Sequence, residues 1–343
     1  MANITLKDSS VIGDYRPPYF IAEVNSSHGG SLETARNMIE EAKKAGCCGV
    51  KFQSWSDESL YSKTYYKDNP IAHRLVKKFS LREADLKELA IYCREAGLSF
   101  SSTPYSPKEV DFLLECQAPY IKISSMEINN FGYLRYIAET GSPIILSTGM
   151  AEIEEIRAAV SIIKKAGNRD LALLHCVSIY PAPASAIHLN NIIRLREEFP
   201  ECPIGFSDHT LGTEIAAAAT ALGAAVIEKH FTLDKSRMGL DNNMAIEPAE
   251  MEQLVGNCLN VHQALGGYER VVSSAEYEQR KKMRRSVIAV RDLPAGAVLA
   301  LDDLAAKRPG DGLPVHEIGS LVGRVLARAV EADTLLRLAD LLE

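Results

Sequence analysis

A (β/α)₈ barrel of the TIM type, followed by a small β-rich domain, is the fold the sequence predicts. Three observations lead to it. Along the first 230 residues, eight short apolar runs each end in polar residues capable of chemistry, and helix-like segments separate them. Eight strand–helix units close into a barrel whose strand C-termini converge on one face, where polar residues read as catalytic. The third observation is length, since 343 residues exceed a bare barrel of typical size.

The runs, in order, are FIAEV with Glu23, GVKFQ with Lys51 and Gln53, and SFSSTP with Ser102 and Thr103. PYIKIS follows with Lys122 and the adjoining Ser125, then PIILST with Ser147. LALLHC carries His175, PIGFSDH carries Ser207 and His209, and AVIEKH carries Glu228 and His230. Helices are expected between them at 31–46, 81–97, 106–116, 130–140, 151–166, 188–199, 210–222 and 248–265. The first starts from Ser31 and stops at Gly46, a capping residue and a residue free to adopt positive φ. The stretch 55–80, with Trp55, Tyr61, Tyr65 and Tyr66, is longer than a βα loop needs. It reads as a substrate wall on the catalytic face or as an ordinary surface insertion.

The repeat ends near Gly266–Gly267, placing a barrel domain at 1–267, a charged linker at 268–284 and a closing domain at 285–343. The linker's Lys-Lys-Met-Arg-Arg, residues 281–285, is expected to be solvated rather than a polyanion site. From Ser286 the pattern changes to short apolar runs broken by turns, SVIAV, LPAGAVL, RPGDG and GLP, as in a compact β-rich module.

Composition narrows the function. A net charge of −7 argues against nucleic acid or an anionic membrane as the main partner. MANITLKDSS lacks a signal-peptide pattern, and no apolar stretch approaches the roughly 20 residues of a membrane span. Seven cysteines without a CxxC fit reduced thiols in a cytoplasm. The expectation is a cytoplasmic enzyme acting on small molecules.

His209 and His230 end consecutive strands, about 4.8 Å apart, so both imidazoles can reach one cation. Two neutral imidazoles suit Mn²⁺, Fe²⁺, Co²⁺ or Zn²⁺ better than Ca²⁺. The competing reading is a pair of hydrogen-bonded histidines lining the mouth. Side chains alternate along a strand, so Lys51 and Gln53 share the interior while Phe52 faces the helices. By the same rule Ser207 goes with His209, and Glu228 with His230. Lys51 and Lys122, with hydroxyls of Thr103, Ser125, Ser147 and Ser207, can neutralise a phosphate and a carboxylate together. A Schiff-base lysine is the alternative. Glu23 and Glu228 are left for proton transfer, or as charge partners of the lysines.

The strings AEVNSSHGGSLETA, VKFQ, SSTP, KISSMEINN, ILSTGM, LLHCVSIYP, IGFSDHTLG, VIEKHFTLD and KRPGDG resemble the sialic acid synthases. These are the phosphoenolpyruvate-condensing nonulosonate synthases, and the resemblance spans nearly the whole chain. The module from about 285 resembles their SAF (antifreeze-like) domain. The resemblance implies condensation of phosphoenolpyruvate with an open-chain N-acylated hexosamine, with release of phosphate by C–O cleavage. It implies a divalent metal, Mn²⁺ first with Mg²⁺ or Co²⁺ as alternatives, on His209 and His230. It places phosphoenolpyruvate on Lys51, Thr103, Lys122, Ser125, Ser147 and Ser207, with Glu23 and Glu228 at the reacting carbons. Gln53, Glu127, Tyr180 and Asp241 match sugar-side positions, and Arg308 matches an arginine that reaches the partner's site in a domain-swapped homodimer.

Two departures concern the acceptor. Ser27 precedes His28-Gly29-Gly30 where the family often has asparagine, and Met238-Gly239-Leu240 stands before Asp241 where some members have proline and glycine. N-acetylmannosamine, its 6-phosphate and a 2,4-diacetamido-trideoxyhexose all stay open as acceptors. A class II type aldolase would use the same histidines without the double anion site. An ice-binding role for the closing module is opposed by its Arg291, Asp292, Asp302, Asp303, Lys307, Arg308 and Asp311, because ice binding wants an uncharged face.

Overall fold

The computed structural model describes residues 1–237 and 239–342; Met238, one of the family departures, lies outside the described residues. The chain divides into two compact units, Met1–Gly266 and Gly267–Glu343. In the first, all eight apolar runs are parallel strands: β1 Tyr19–Glu23, β2 Gly49–Gln53, β3 Ser99–Thr103, β4 Ile121–Ile123, β5 Ile144–Ser147, β6 Leu171–Cys176, β7 Ile204–Asp208 and β8 Val226–His230. Their order around the sheet is β3-β2-β1-β8-β7-β6-β5-β4. The barrel is therefore laddered everywhere except between β3 and β4, where Ser101 Oγ donates to the Tyr120 carbonyl at 3.3 Å across the seam.

Each expected helix forms for a local reason. Helix Leu32–Lys44 starts where the Ser31 side chain accepts from Thr34 N, and it carries Lys43 and Lys44 at its negative end. Ala35, Met38, Ile39 and Ala42 fall on one face and are fully buried against the strands. Helix Glu83–Ala96 stops at Gly97, whose φ of 76° is left-handed and cheap only for glycine. On the strands' outer faces Val50, Phe52, Phe100 and Phe206 pack into the helix layer. A separate cluster of Ile21, Tyr120, Ile145, Ala172, Leu174 and Val226 fills the barrel interior. An N-terminal hairpin, Asn3–Thr5 with Val11–Gly13, adds Ile4, Leu6 and Ile12 to that same cluster. Its partner Asp14 accepts from Ile204 N at the start of β7, so the hairpin plugs the N-terminal end and leaves the other end open.

The insertion at 55–80 is not loop alone but two helices, Lys63–Asp68 and Pro70–Phe79, anchored by buried Trp55, Tyr66, Val76 and Phe79. In the second unit, the stretch expected as a solvated linker contains a helix, Ser274–Met283. Ser273 and Glu276 form a capping box at its start, and none of its side chains is buried, so capping and charge rather than packing hold it. The closing module has one two-stranded ladder, Ser286–Ala289 with Leu304–Lys307. Isolated bridges such as Leu293–Val330 and Val298–Val325 close the rest around Val287, Leu299 and Leu336. Among the described residues, no helix is long and apolar enough to cross a membrane.

Candidate active site

The open end of the barrel holds a cavity of about 460 Å³. It brings together Glu23, Lys51, Gln53, Thr103, Lys122, Ser125, Ser147, Tyr180, Ser207, His209, Glu228, His230 and Asp241. Strand register explains the convergence. Glu23 lies beside Lys51 and His230, Gln53 beside Thr103, and Ser207 beside Glu228, each pair level across neighbouring strands. The residues between them point outward, and there Lys229 and Asp208 form a fully buried ion pair at 2.8 Å.

On the cavity floor the charges interlock. The Lys51 ammonium contacts the Glu23 carboxylate and lies 3.7 Å from Glu228 Oε2. Lys122 Nζ donates to Ser147 Oγ at 2.7 Å and lies 3.8 Å from Glu228 Oε1, which also accepts from Ser207 at 3.0 Å. Burial raises both carboxyl groups, but the two glutamates end apart. In Glu228 the pull of Lys122 and Lys51 outweighs burial and the net shift is downward. In Glu23 burial outweighs Lys51 and the net shift is upward. Burial likewise carries Lys122 below its usual range, whereas for Lys51 burial is outweighed by Glu228 and Glu23 and the net shift is upward. Two carboxyls driven apart by their surroundings suit one donor and one acceptor of protons.

The imidazoles of His209 and His230 have ring centroids 5.3 Å apart. His209 Nδ1 lies 2.8 Å from the Val177 carbonyl, an acceptor only, so Nδ1 carries the proton and Nε2 keeps a free lone pair. Burial drives His230 well below its usual pKa, helped by His209 and Lys51, which leaves it neutral. In His209 burial is outweighed by Cys176 and the Val177 carbonyl, and the net shift is upward. This pair fits a divalent cation that keeps open positions. Among the described residues, no group of three or more His, Cys, Asp or Glu side chains is set to enclose one.

Glu127 is not among the described residues lining the cavity. Glu127 is half-buried and accepts from Asn130 at 2.8 Å, while Arg308 is exposed in the second unit. His175 does not face the mouth. Its Nε2 pairs with the Ile187 carbonyl at 2.6 Å, and Cys176 takes the inward place beside Ser207. Parity along β6 would have found this, since Ala172, Leu174 and Cys176 share a face. His28, in the loop after β1, is buried, accepts from Gly30 N at 3.0 Å, and is pushed down to about 4 by burial. Asn25, Tyr105, Ser124, Met126, Met150 and Ser178 line the cavity without having been singled out by sequence. They sit in loops or, for Met126, in the single 3₁₀ turn Ser125–Glu127, where no period marks orientation. Gly149 has no room for a Cβ. A Cβ there would run into Ser178 Oγ and come within 2.9 Å of Ser125 Oγ and 3.2 Å of Cys176 Sγ, while the glycine N–H donates to Ser125 Oγ at 2.9 Å.

A polar cavity at the strand C-termini of a plugged (β/α)₈ barrel defines an enzyme-type site. The NeuB family model matches residues 38–270, and the SAF domain model matches residues 284–342. The chain belongs to the NeuB family, and its relatives include nonulosonic acid synthases. It is 36% identical over 331 residues to the N,N'-diacetyllegionaminic acid synthase of Legionella pneumophila, covering 93% of each chain. It is 33% identical over 331 residues to the N-acetylneuraminate-9-phosphate synthase of Homo sapiens, covering 94% of this chain and 92% of that one. The crystal structure of N-acetylneuraminic acid synthetase from Leptospira borgpetersenii aligns with a TM-score of 0.75 and 35% identity, covering 81% of this chain and 94% of that one.

Proposed function

We propose that this chain condenses phosphoenolpyruvate with the aldehyde of an open-chain N-acylated hexosamine to give a nonulosonic acid and inorganic phosphate. The observation that carries the reading is the floor of the cavity, where two buried lysines and four hydroxyls share one space with two imidazoles. Lys51, Lys122, Thr103, Ser125, Ser147 and Ser207 hold the phosphate and carboxylate of phosphoenolpyruvate. His209 and His230 hold a divalent cation, Mn²⁺ first and Mg²⁺ or Co²⁺ as alternatives; when bound it supplies Lewis-acid polarisation of the aldehyde oxygen. C3 of phosphoenolpyruvate bonds to the aldehyde carbon, and the aldehyde oxygen takes a proton from Glu23. Water adds at C2 and loses a proton to Glu228. The C2–O bond to phosphate then breaks as the C2 hydroxyl gives its proton to the departing phosphate, the bridging oxygen leaves with phosphate, and a ketone remains. The opposed shifts of the two glutamates support this division of roles. Gln53, Tyr180 and Asp241 face the sugar. Arg308 completes the sugar site of a partner barrel in a homodimer.

The test is incubation of the full chain with phosphoenolpyruvate, Mn²⁺ and a panel of N-acylated hexosamines, reading phosphate release and product mass. Phosphate released in step with a product of summed mass, less phosphate, is expected. Aldol products from pyruvate, with no dependence on phosphoenolpyruvate, would instead place the chain with the class II type aldolases.

A further inference from the structure

One turn of the second unit is tied at every link. Ser286 pairs with Lys307 in the two-stranded ladder, so the chain leaves the ladder at Arg308 and turns through Pro309, Gly310, Asp311 and Gly312. Ser286 is buried and holds both ends of that turn. Its Oγ donates to the Pro309 carbonyl at 2.8 Å and accepts from Gly312 N at 2.9 Å. Gly310 N donates at 2.7 Å to the Lys281 carbonyl, one of those that helix Ser274–Met283 leaves without an internal partner at its end. Asp311 accepts from Arg337 at its carboxylate, 3.2 Å, and at its backbone carbonyl, 3.4 Å.

The side chain this turn carries is idle. Arg308 is exposed, and its guanidinium meets no hydrogen-bond or ion-pair partner among the described residues. Neighbouring cations are engaged, Lys307 with Asp333 and Arg337 with Asp311. Fixing the backbone under a free guanidinium removes in advance part of the ordering cost of binding a ligand. The same contact gives a use to a helix that buries no side chain. Gly310 approaches its C-terminal end so closely that a Cβ would come within 2.7 Å of Arg284 Cβ and 2.9 Å of the Arg280 carbonyl. From this we infer that Ser286, with the end of helix Ser274–Met283, positions Arg308 for its ligand. Ser286 touches no substrate and acts only through the arginine.

This inference rests on the reading that Arg308 completes a sugar site, and the experiment separates the two. Ser286→Ala is made in the full chain, alone and combined with Arg308→Ala. Phosphate release is followed with phosphoenolpyruvate, Mn²⁺ and whichever of N-acetylmannosamine, its 6-phosphate and a 2,4-diacetamido-2,4,6-trideoxyhexose the unaltered chain uses fastest. Ser286→Ala is expected to lower kcat/KM for the sugar about tenfold, with the KM of phosphoenolpyruvate in place. On the residual rate of Arg308→Ala it should have no further effect, because the two act as one unit. Gly310→Ala reaches the same turn from the helix side and should give the same split. Hydrogen exchange supplies a readout free of turnover: the amides of 310–312 should be protected in the unaltered chain and exposed in Ser286→Ala. Equal losses in both backgrounds would make Ser286 merely structural and overturn the inference. Full turnover in Ser286→Ala, or in Arg308→Ala, overturns it with the synthase reading intact. Unprotected amides in the unaltered chain overturn it whatever the turnover, and an unaltered chain inert with all three sugars overturns both.

Discussion

Tyr105 Oη donates to Gln53 Oε1 at 2.7 Å, and this one contact decides which way the Gln53 amide faces. With its oxygen occupied, Gln53 turns Nε2 toward Glu23 and donates to Oε1 at 3.1 Å. A tyrosine outside the strands thereby delivers a hydrogen bond to the carboxyl proposed as proton donor. That bond lowers the Glu23 pKa against the burial that raises it. Tyr105→Phe releases the amide, so the Glu23 pKa rises further. Because a proton donor is active below its pKa, the alkaline limb of kcat/KM should move up by about one unit, the equivalent of one hydrogen bond to a charged group. A profile that stays in place, or moves down, contradicts the relay.

Lys229→Met tests the outer ion pair. It leaves Asp208 buried, accepting only from Thr210, without its cation. Loss of one partner of a buried pair costs about 3–5 kcal/mol, visible as a lower denaturation midpoint with an unchanged slope. A loss below about 1 kcal/mol would show the pair to be dispensable.

Removing either imidazole tests the metal. His209→Ala and His230→Ala should each lower bound Mn²⁺, measured directly on dialysed protein, and lower turnover by about 10²-fold or more. Far-UV circular dichroism should not change, because the apolar interior lies below these strand ends. Protons compete with the cation for neutral imidazole, so affinity falls as pH falls. Near-normal turnover after treatment with a chelator would rule the role out.

Bond cleavage has its own test. Phosphoenolpyruvate labelled with ¹⁸O at the bridge should yield labelled phosphate, because the oxygen retained at C2 comes from water. Label recovered in the nonulosonate would sink the proposed order of steps.

Arg308 is placed by proposal in the partner's site, so Arg308→Ala should cripple the enzyme without altering the barrel. A merely exposed arginine would cost under about 0.5 kcal/mol of stability and leave turnover alone. Co-refolding Arg308→Ala with His230→Ala separates the cases. About half the dimers would be mixed, each with one intact composite site, so about a quarter of wild-type activity should return. If mixed dimers form and no activity returns, the arginine does not act across the dimer.

Much of the fold was legible because local rules repeat. Apolar runs of strand length, capped helices and glycine stops marked the eight barrel strands and the main helix after each, but not the N-terminal hairpin or the two helices of the 55–80 insertion, and a period of two placed Lys51, Ser207 and Glu228 inside and Phe52 outside. In LALLHC the same parity places Cys176 inside and His175 outside, against the Ile187 carbonyl. Helix Ser274–Met283 was hidden in a charged stretch because it buries nothing, and apolar periodicity is the signal that reveals most helices.

Sequence by itself determined the barrel, the identity of the groups at its strand ends and the family to which the chain belongs, since each is written in contiguous residues. Tertiary structure alone decided which loop residues join the mouth. Tyr105, Met126 and Met150 follow three different strands, and no period relates them. Closure of the strands brings those loops together and sets the opposed shifts of Glu23 and Glu228. Burial and the distance to a lysine depend on neighbours far along the chain, so no local pattern encodes them.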